Sequence, residues 1–141
     1  MPEVRQAGLA DADMVAALAA GLAQSFAFCR GDFDVSYAAL LAERNACVLV
    51  AVQDGDCLGY LLGFWHFTFF ANGPVGWVEE VMVRDDHRGR GIGRDLMSAF
   101  ERWAATHRCA MVALATRRAA PFYLALGYEE SAAYLRKVLS Q

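Results

Sequence analysis

Apolar and polar positions alternate along this chain in two rhythms, one near period two and one near three and a half, and the rhythms divide it into elements. "EVRQA" at 3–7 reads as a short first strand. Asp11 then precedes "ADMVAALAAGLAQSFAF" at 12–28, whose apolar residues cover more than one helical face. That predicts a mostly buried helix with Asp11 as its N-cap. "SYAALLAERN" at 36–45 reads as a second, shorter helix, and "CVLVAVQ" at 47–53 as a strand closed by the turn signal "QDGD". "CLGYLLGFWHFTFF" at 57–70 is a long aromatic strand ended by "ANGPVG", and "WVEEVMVR" at 77–84 is the next strand. A glycine-rich turn leads into "GRDLMSAFERWAATH" at 93–107, with Leu96, Met97, Phe100, Trp103 and Ala104 at helical spacing. "AMVALAT" at 110–116 is a strand, "AAPFYLALG" a short helix with Gly127 as its C′ glycine, and "YEESAAYLRKVL" at 128–139 a final strand. The order β-α-α-β-β-β-α-β-α-β predicts an α/β or α+β domain, a mixed sheet with helices on its faces.

Composition narrows the class. At 141 residues the chain is expected to form a single domain spanning 1–141 and to bury a core without disulfides or metals. Hydrophobic residues make up 57%, but much of the excess is alanine. The longest helical apolar stretch, "MVAALAAGLAQSFAF", is short for a bilayer and contains Gln24 and Ser25. "MPEVRQAG" lacks the basic start and apolar centre of a signal peptide. The expectation is a soluble, cytoplasmic protein with no membrane partner. A formal charge of −3 argues against a nucleic-acid partner, which needs a broad basic surface. Cys29, Cys47, Cys57 and Cys109 show no CxxC spacing, and His66, His87 and His107 form no metal-ligand pattern. The thiols read as buried small hydrophobes, and no metal is expected.

Against that acidic average, "VMVRDDHRGRGIGRDLM" gathers Arg84, Arg88, Arg90 and Arg94 around Gly89, Gly91 and Gly93. It lacks the lysine of a Walker loop, and its GxGxG spacing departs from the dinucleotide fingerprint. Only positions 95–141 follow the turn, too few for a dinucleotide domain. A strand that feeds a glycine turn and opens a helix nonetheless presents free N–H groups at the positive end of the helix dipole. Such a turn binds phosphate.

These residues resemble the GNAT superfamily of N-acetyltransferases. "HRGRGIGRDLM" is similar to its acyl-CoA motif R/Q-x-x-G-x-G/A through Arg88, Gly91 and Gly93. "AAPFYLALGY" resembles its second signature, A-x-x-F-Y-x-x-x-G-F, through Ala119, Phe122, Tyr123, Gly127 and Tyr128. The chain departs from the pattern at Thr116, where many relatives carry asparagine, and at Tyr128, where phenylalanine is commoner.

The resemblance implies a mostly antiparallel, splayed sheet and acetyl-CoA as cosubstrate. The diphosphate would rest on the backbone of Arg88, Gly89, Arg90, Gly91, Ile92, Gly93 and Arg94. The pantetheine arm would run along Val81, Met82 and Val83, with Thr116 and Phe122 beside it. Tyr123 would protonate the leaving thiolate. Glu79 is the first candidate for the base and Glu80 the second, since regular alternation lets only one of them face the cleft. The aromatic run Phe64, Trp65, His66, Phe67, Phe69, Phe70 and Trp77 is expected to supply part of the acceptor pocket. With the two glutamates it would suit a small cationic amine. Acetylation of a small-molecule amine, of a protein N-terminus or lysine, and acyl-CoA binding without turnover all stay open. A homodimer formed through the late strands is a further expectation from the resemblance.

Overall fold

The computed structural model describes residues 1–22 and 25–139. A five-stranded sheet runs in chain order, β1 (Glu3–Gln6), β2 (Ala46–Gln53), β3 (Asp56–Thr68), β4 (Gly73–Val83) and β5 (Val112–Leu114). Three antiparallel pairings are followed by one parallel pairing, β4 with β5. Helices α1 (Ala12–Leu22) and α2 (Arg30–Ala42) cover one face. Helix α3 (Ile92–Thr106) and the short α4 (Ala120–Ala125) cover the other. Among the described residues no helix is long and apolar enough to cross a membrane.

The predicted periodicity of α3 is its packing face: Ile92, Leu96, Met97, Phe100 and Ala104 are all buried. They form one core with Cys47, Leu49, Ala51, Leu61 and Val78 of the sheet. The second core joins Val15, Leu18 and Tyr37 to Val48, Val50 and Tyr60. The turn at "QDGD" forms as expected, with Asp54 and Gly55 both at positive φ (52° and 83°), the geometry of a two-residue hairpin.

Five expectations are corrected. The first helix stops at Leu22 rather than Phe28; positions 23 and 24 lie outside the described residues, and 25–28 are not helical. Asp11 does not cap α1. It closes a 3₁₀ turn (Leu9–Asp11), and its carboxylate accepts from the Gly8 amide (2.8 Å) and from both Arg5 terminal nitrogens (2.8 and 2.9 Å). Helix α2 begins six residues early, at Arg30, where the guanidinium bridges Asp13 (2.6 Å) and Asp34 (2.8 Å) and steadies the first turn. Only Cys47 and Cys57 are buried, whereas Cys29 is exposed and Cys109 half-buried. The expected last strand at 128–139 is not formed. Its large apolar side chains, Leu135 and Leu139, are 89% and 90% exposed, so it has no apolar face against the sheet to hold a register.

Candidate active site

The site begins where two strands part. Strands β4 and β5 pair at Gly76–Val112, Trp77–Ala113 and Val78–Leu114, and no further. From Glu79 to Val83 the edge of β4 that faced β5 has no strand partner among the described residues. A cleft of about 810 Å³ occupies this opening, within the size range of small-molecule sites.

A β-bulge sets what faces the cleft. Leu62 pairs with Glu80 and Gly63 with Val78, so Glu79 is an extra residue in β4. Val78 and Val81, three positions apart, both pack into the α3-side core, which regular alternation forbids. The expectation that only one glutamate can face the cleft is therefore corrected: Glu79 and Glu80 both border it. Glu80 is half-buried and accepts a 2.7 Å hydrogen bond from the Tyr60 hydroxyl. Burial pushes the Tyr60 phenol well above its ordinary range, so it stays a donor. Glu79 is exposed and accepts from Trp77 Nε1 at 3.2 Å.

Tyr123 reaches the cleft from α4. Two hydrogen bonds close the end of that helix, from the Gly127 amide to the Leu124 carbonyl and from the Tyr128 amide to the Tyr123 carbonyl (both 3.1 Å), with Gly127 at φ 97°. The Tyr123 ring packs edge-on against Phe122 and Tyr128. Burial raises its pKa above the ordinary value of 10.0, so it is a protonated phenol at neutral pH. Thr116 borders the same cleft, and its Oγ1 accepts from the Ala119 amide (3.1 Å) at the start of α4, leaving its own O–H free to donate.

The glycine turn lies past the other end of the open edge. Gly89 and Gly91 have positive φ (79° and 84°), and Gly91 is the residue before α3. No side chain caps that helix, so the amides of Ile92, Gly93 and Arg94 point out of its first turn. The Ile92 side chain itself is core, at 2% exposed. A Cβ on Gly93 would stand 3.1 Å from Phe122 Cζ, so Phe122 packs directly on the helix start. The arginines are unequal. Arg88 pairs with Asp85 (3.0 Å) and donates from Nε to the Val83 carbonyl (3.3 Å), and Arg84 pairs with Asp86 (2.8 Å). Arg94 lies back over Gly91, while Arg90 makes no ion pair among the described residues. Uncapped amides, an open Gly89 and an arginine without an ion pair suit a diphosphate. Of Val81, Met82 and Val83, only Val83 has its carbonyl engaged by a side chain among the described residues.

The expected aromatic wall is displaced. Phe67, Phe69 and Phe70 are 73%, 101% and 73% exposed around the β3–β4 turn, and Trp65 stacks on His107. None of Phe64, Trp65, His66, Phe67, Phe69 or Phe70 borders the cleft, and Trp77 borders only an adjoining hollow. The wall comes instead from Phe26 and Phe28, between the first two helices, and from Phe33 and Tyr37 of α2. The sequence signal for it was "SFAFC", aromatic residues in a stretch without helical spacing. Among the described residues no cluster of three His, Cys, Asp or Glu side chains could hold a metal ion.

The model of the acetyltransferase (GNAT) family matches residues 15–128. The chain belongs to that family. It is an acetyl-CoA-dependent N-acetyltransferase. It is 28% identical over 137 residues to an aminoglycoside N(6′)-acetyltransferase type 1 of Stenotrophomonas maltophilia, covering 92% of this chain and 88% of the relative. It is 29% identical over 133 residues to an aminoalkylphosphonate N-acetyltransferase of Salmonella typhimurium, covering 92% and 86%. Its fold matches an aminoglycoside N-acetyltransferase in complex with CoA at TM-score 0.85 and 22% identity, over 97% of this chain and 95% of the other. The mixed, mostly antiparallel, splayed sheet expected of this GNAT acetyltransferase is thus present, without its expected last strand.

Proposed function

We propose that this acetyltransferase acetylates the primary amine of a small molecule, with the amine held against Glu79 and Glu80 and the thioester beside Tyr123. One observation carries the reading: the two carboxylates and the phenol border a single cleft that opens where β4 and β5 stop pairing. Acetyl-CoA supplies an activated acetyl group. The residues do the rest. Glu79, exposed and hydrogen-bonded to Trp77, takes a proton from the bound ammonium so that the neutral nitrogen attacks the thioester carbon, and the proton shed as the C–N bond forms passes to solvent. The Glu80 carboxylate, fixed by Tyr60, attracts the protonated amine. Tyr123 gives its proton to the sulfur as the C–S bond breaks. The amides of residues 92–94 hold the diphosphate. The names of the two sequence relatives, one acting on aminoglycosides and one on aminoalkylphosphonates, support a small-molecule acceptor.

The test is thiol release from acetyl-CoA with a panel of small amines, amino acids and peptides. Small amines are expected to accelerate release well above buffer. Acceleration by peptides alone would assign the cleft to protein acetylation, and coenzyme binding without release would assign it to a non-catalytic module. A homodimer completes the proposal, supported by the free outer edge of the three-residue β5 and the exposed Leu135 and Leu139 nearby in sequence to α4. A monomeric mass in solution would remove it.

A further inference from the structure

The cleft carries as much positive charge as negative. Asp32, Glu79 and Glu80 border it, and so do Arg117, Arg118 and Arg136. The arginines come from the β5–α4 connection and from the segment after α4. Elsewhere Arg5, Arg30, Arg84, Arg88 and Arg94 each sit within ion-pair distance of a carboxylate, while Arg44, Arg90, Arg102 and Arg108 do not among the described residues and border no carboxylate-lined cleft. The three cleft arginines have no such partner among the described residues, although three carboxylates border the same space. Arg117 and Arg136 also share an adjoining hollow of about 230 Å³ with Glu79. The coenzyme's diphosphate does not account for Arg117 and Arg136, which stand beside Glu79. Its turn begins beyond Val83, four strand residues or about 13 Å from Glu79. A polyamine would place its second cation beside three guanidiniums that never lose their charge. An amine that also bears an anion meets both signs, and the guanidinium fork matches a carboxylate, phosphonate or phosphate.

We infer that the acceptor is a compact zwitterion, a primary amine carrying a carboxylate, phosphonate or phosphate, with Arg117 and Arg136 determining specificity for the anion. The inference rests on the reading of this cleft as the acceptor site. Its test compares 3-aminopropylphosphonate and β-alanine with propylamine and spermidine as acceptors for the full chain. The anionic amines are expected to show kcat/KM at least about tenfold higher. Arg117→Gln and Arg136→Gln should raise KM for them roughly tenfold and erase the preference, with KM for acetyl-CoA unmoved. Arg102→Gln, on the exposed side of α3, should change neither. Propylphosphonate, an anion without an amine, should compete with the acceptor in the wild type and not in the Arg136 variant. Preference for spermidine or propylamine would overturn the inference and leave the acetyl-transfer reading standing. A rise in KM for acetyl-CoA in the arginine variants would overturn it too, assigning them to the coenzyme. Release with no amine at all would instead sink the acetyl-transfer reading, and this inference with it.

Discussion

Tyr123 illustrates how surroundings suit one side chain to the chemical role proposed for it. Its phenol is pushed toward the protonated state by burial, and its backbone is fixed by the closed end of α4. Tyr123→Phe is expected to lower kcat about a hundredfold while leaving KM for acetyl-CoA nearly unchanged. Stopped-turnover assays at saturating acceptor read this directly, and an unchanged kcat would remove Tyr123 from the mechanism. The glutamates divide their labour differently. Glu79→Gln should act mainly on kcat, and Glu80→Gln mainly on acceptor KM, because Glu80 is half-buried and tied to Tyr60 while Glu79 is exposed. Both glutamates were legible in the sequence as candidates. Their shared orientation was not, because a bulge is a property of two strands aligned and leaves no mark in either one alone.

At the scale of elements, the start and end of α3 make the same left-handed demand on the backbone and meet it with different residues. Gly91 sits at φ 84°, and a Cβ there would also press on the Arg94 guanidinium. Gly91→Ala should strain the turn by about 1 kcal/mol and weaken coenzyme binding up to about tenfold, measured by calorimetry with CoA. At the other end Arg108 takes φ 61°, a left-handed residue that follows the helix, where glycine is favoured. Arg108→Gly should therefore stabilise the fold by roughly 0.5–1 kcal/mol in urea unfolding, with activity unaffected. Helix α3 was readable in advance because its apolar spacing and its packing face coincide. The early start of α2 was missed although Phe33 continues the apolar face of Tyr37, Leu40 and Leu41 at helical spacing; the pairing of Arg30 with Asp13 of α1, which helps fix the first turn, joins two elements and leaves no mark in the sequence. The expected last strand failed for a related reason. Alternation shows that a segment is able to pair and says nothing about which edge receives it.

For the molecule as a whole, the N-terminal strand, the 3₁₀ turn and α2 are tied together through one buried carboxylate. Asp11 accepts from Arg5 and Gly8, and the Tyr37 hydroxyl donates to the Gly8 carbonyl at 2.8 Å. Its hydrogen bond to the Arg5 guanidinium holds the Asp11 pKa below its ordinary 3.8. A depressed carboxylate stabilises the fold fully above the unfolded value, and the contribution fades as pH falls from 3.8 through the lower folded value. Asp11→Asn should lose roughly 1–2 kcal/mol at neutral pH, with the gap to wild type narrowing under acid, as pH-dependent unfolding would show. The bulge at Glu79 has a different reach. A chain with that single position deleted would place Val78, Glu80 and Val81 in strict in-out-in order, so every side chain still finds its proper layer. The shortened strand would run straight, and the main-chain edge proposed to take a thioester's arm would meet its neighbour instead. The expected product is a well-folded protein blind to its coenzyme: one inserted amino acid separates a catalyst from an ordinary sheet.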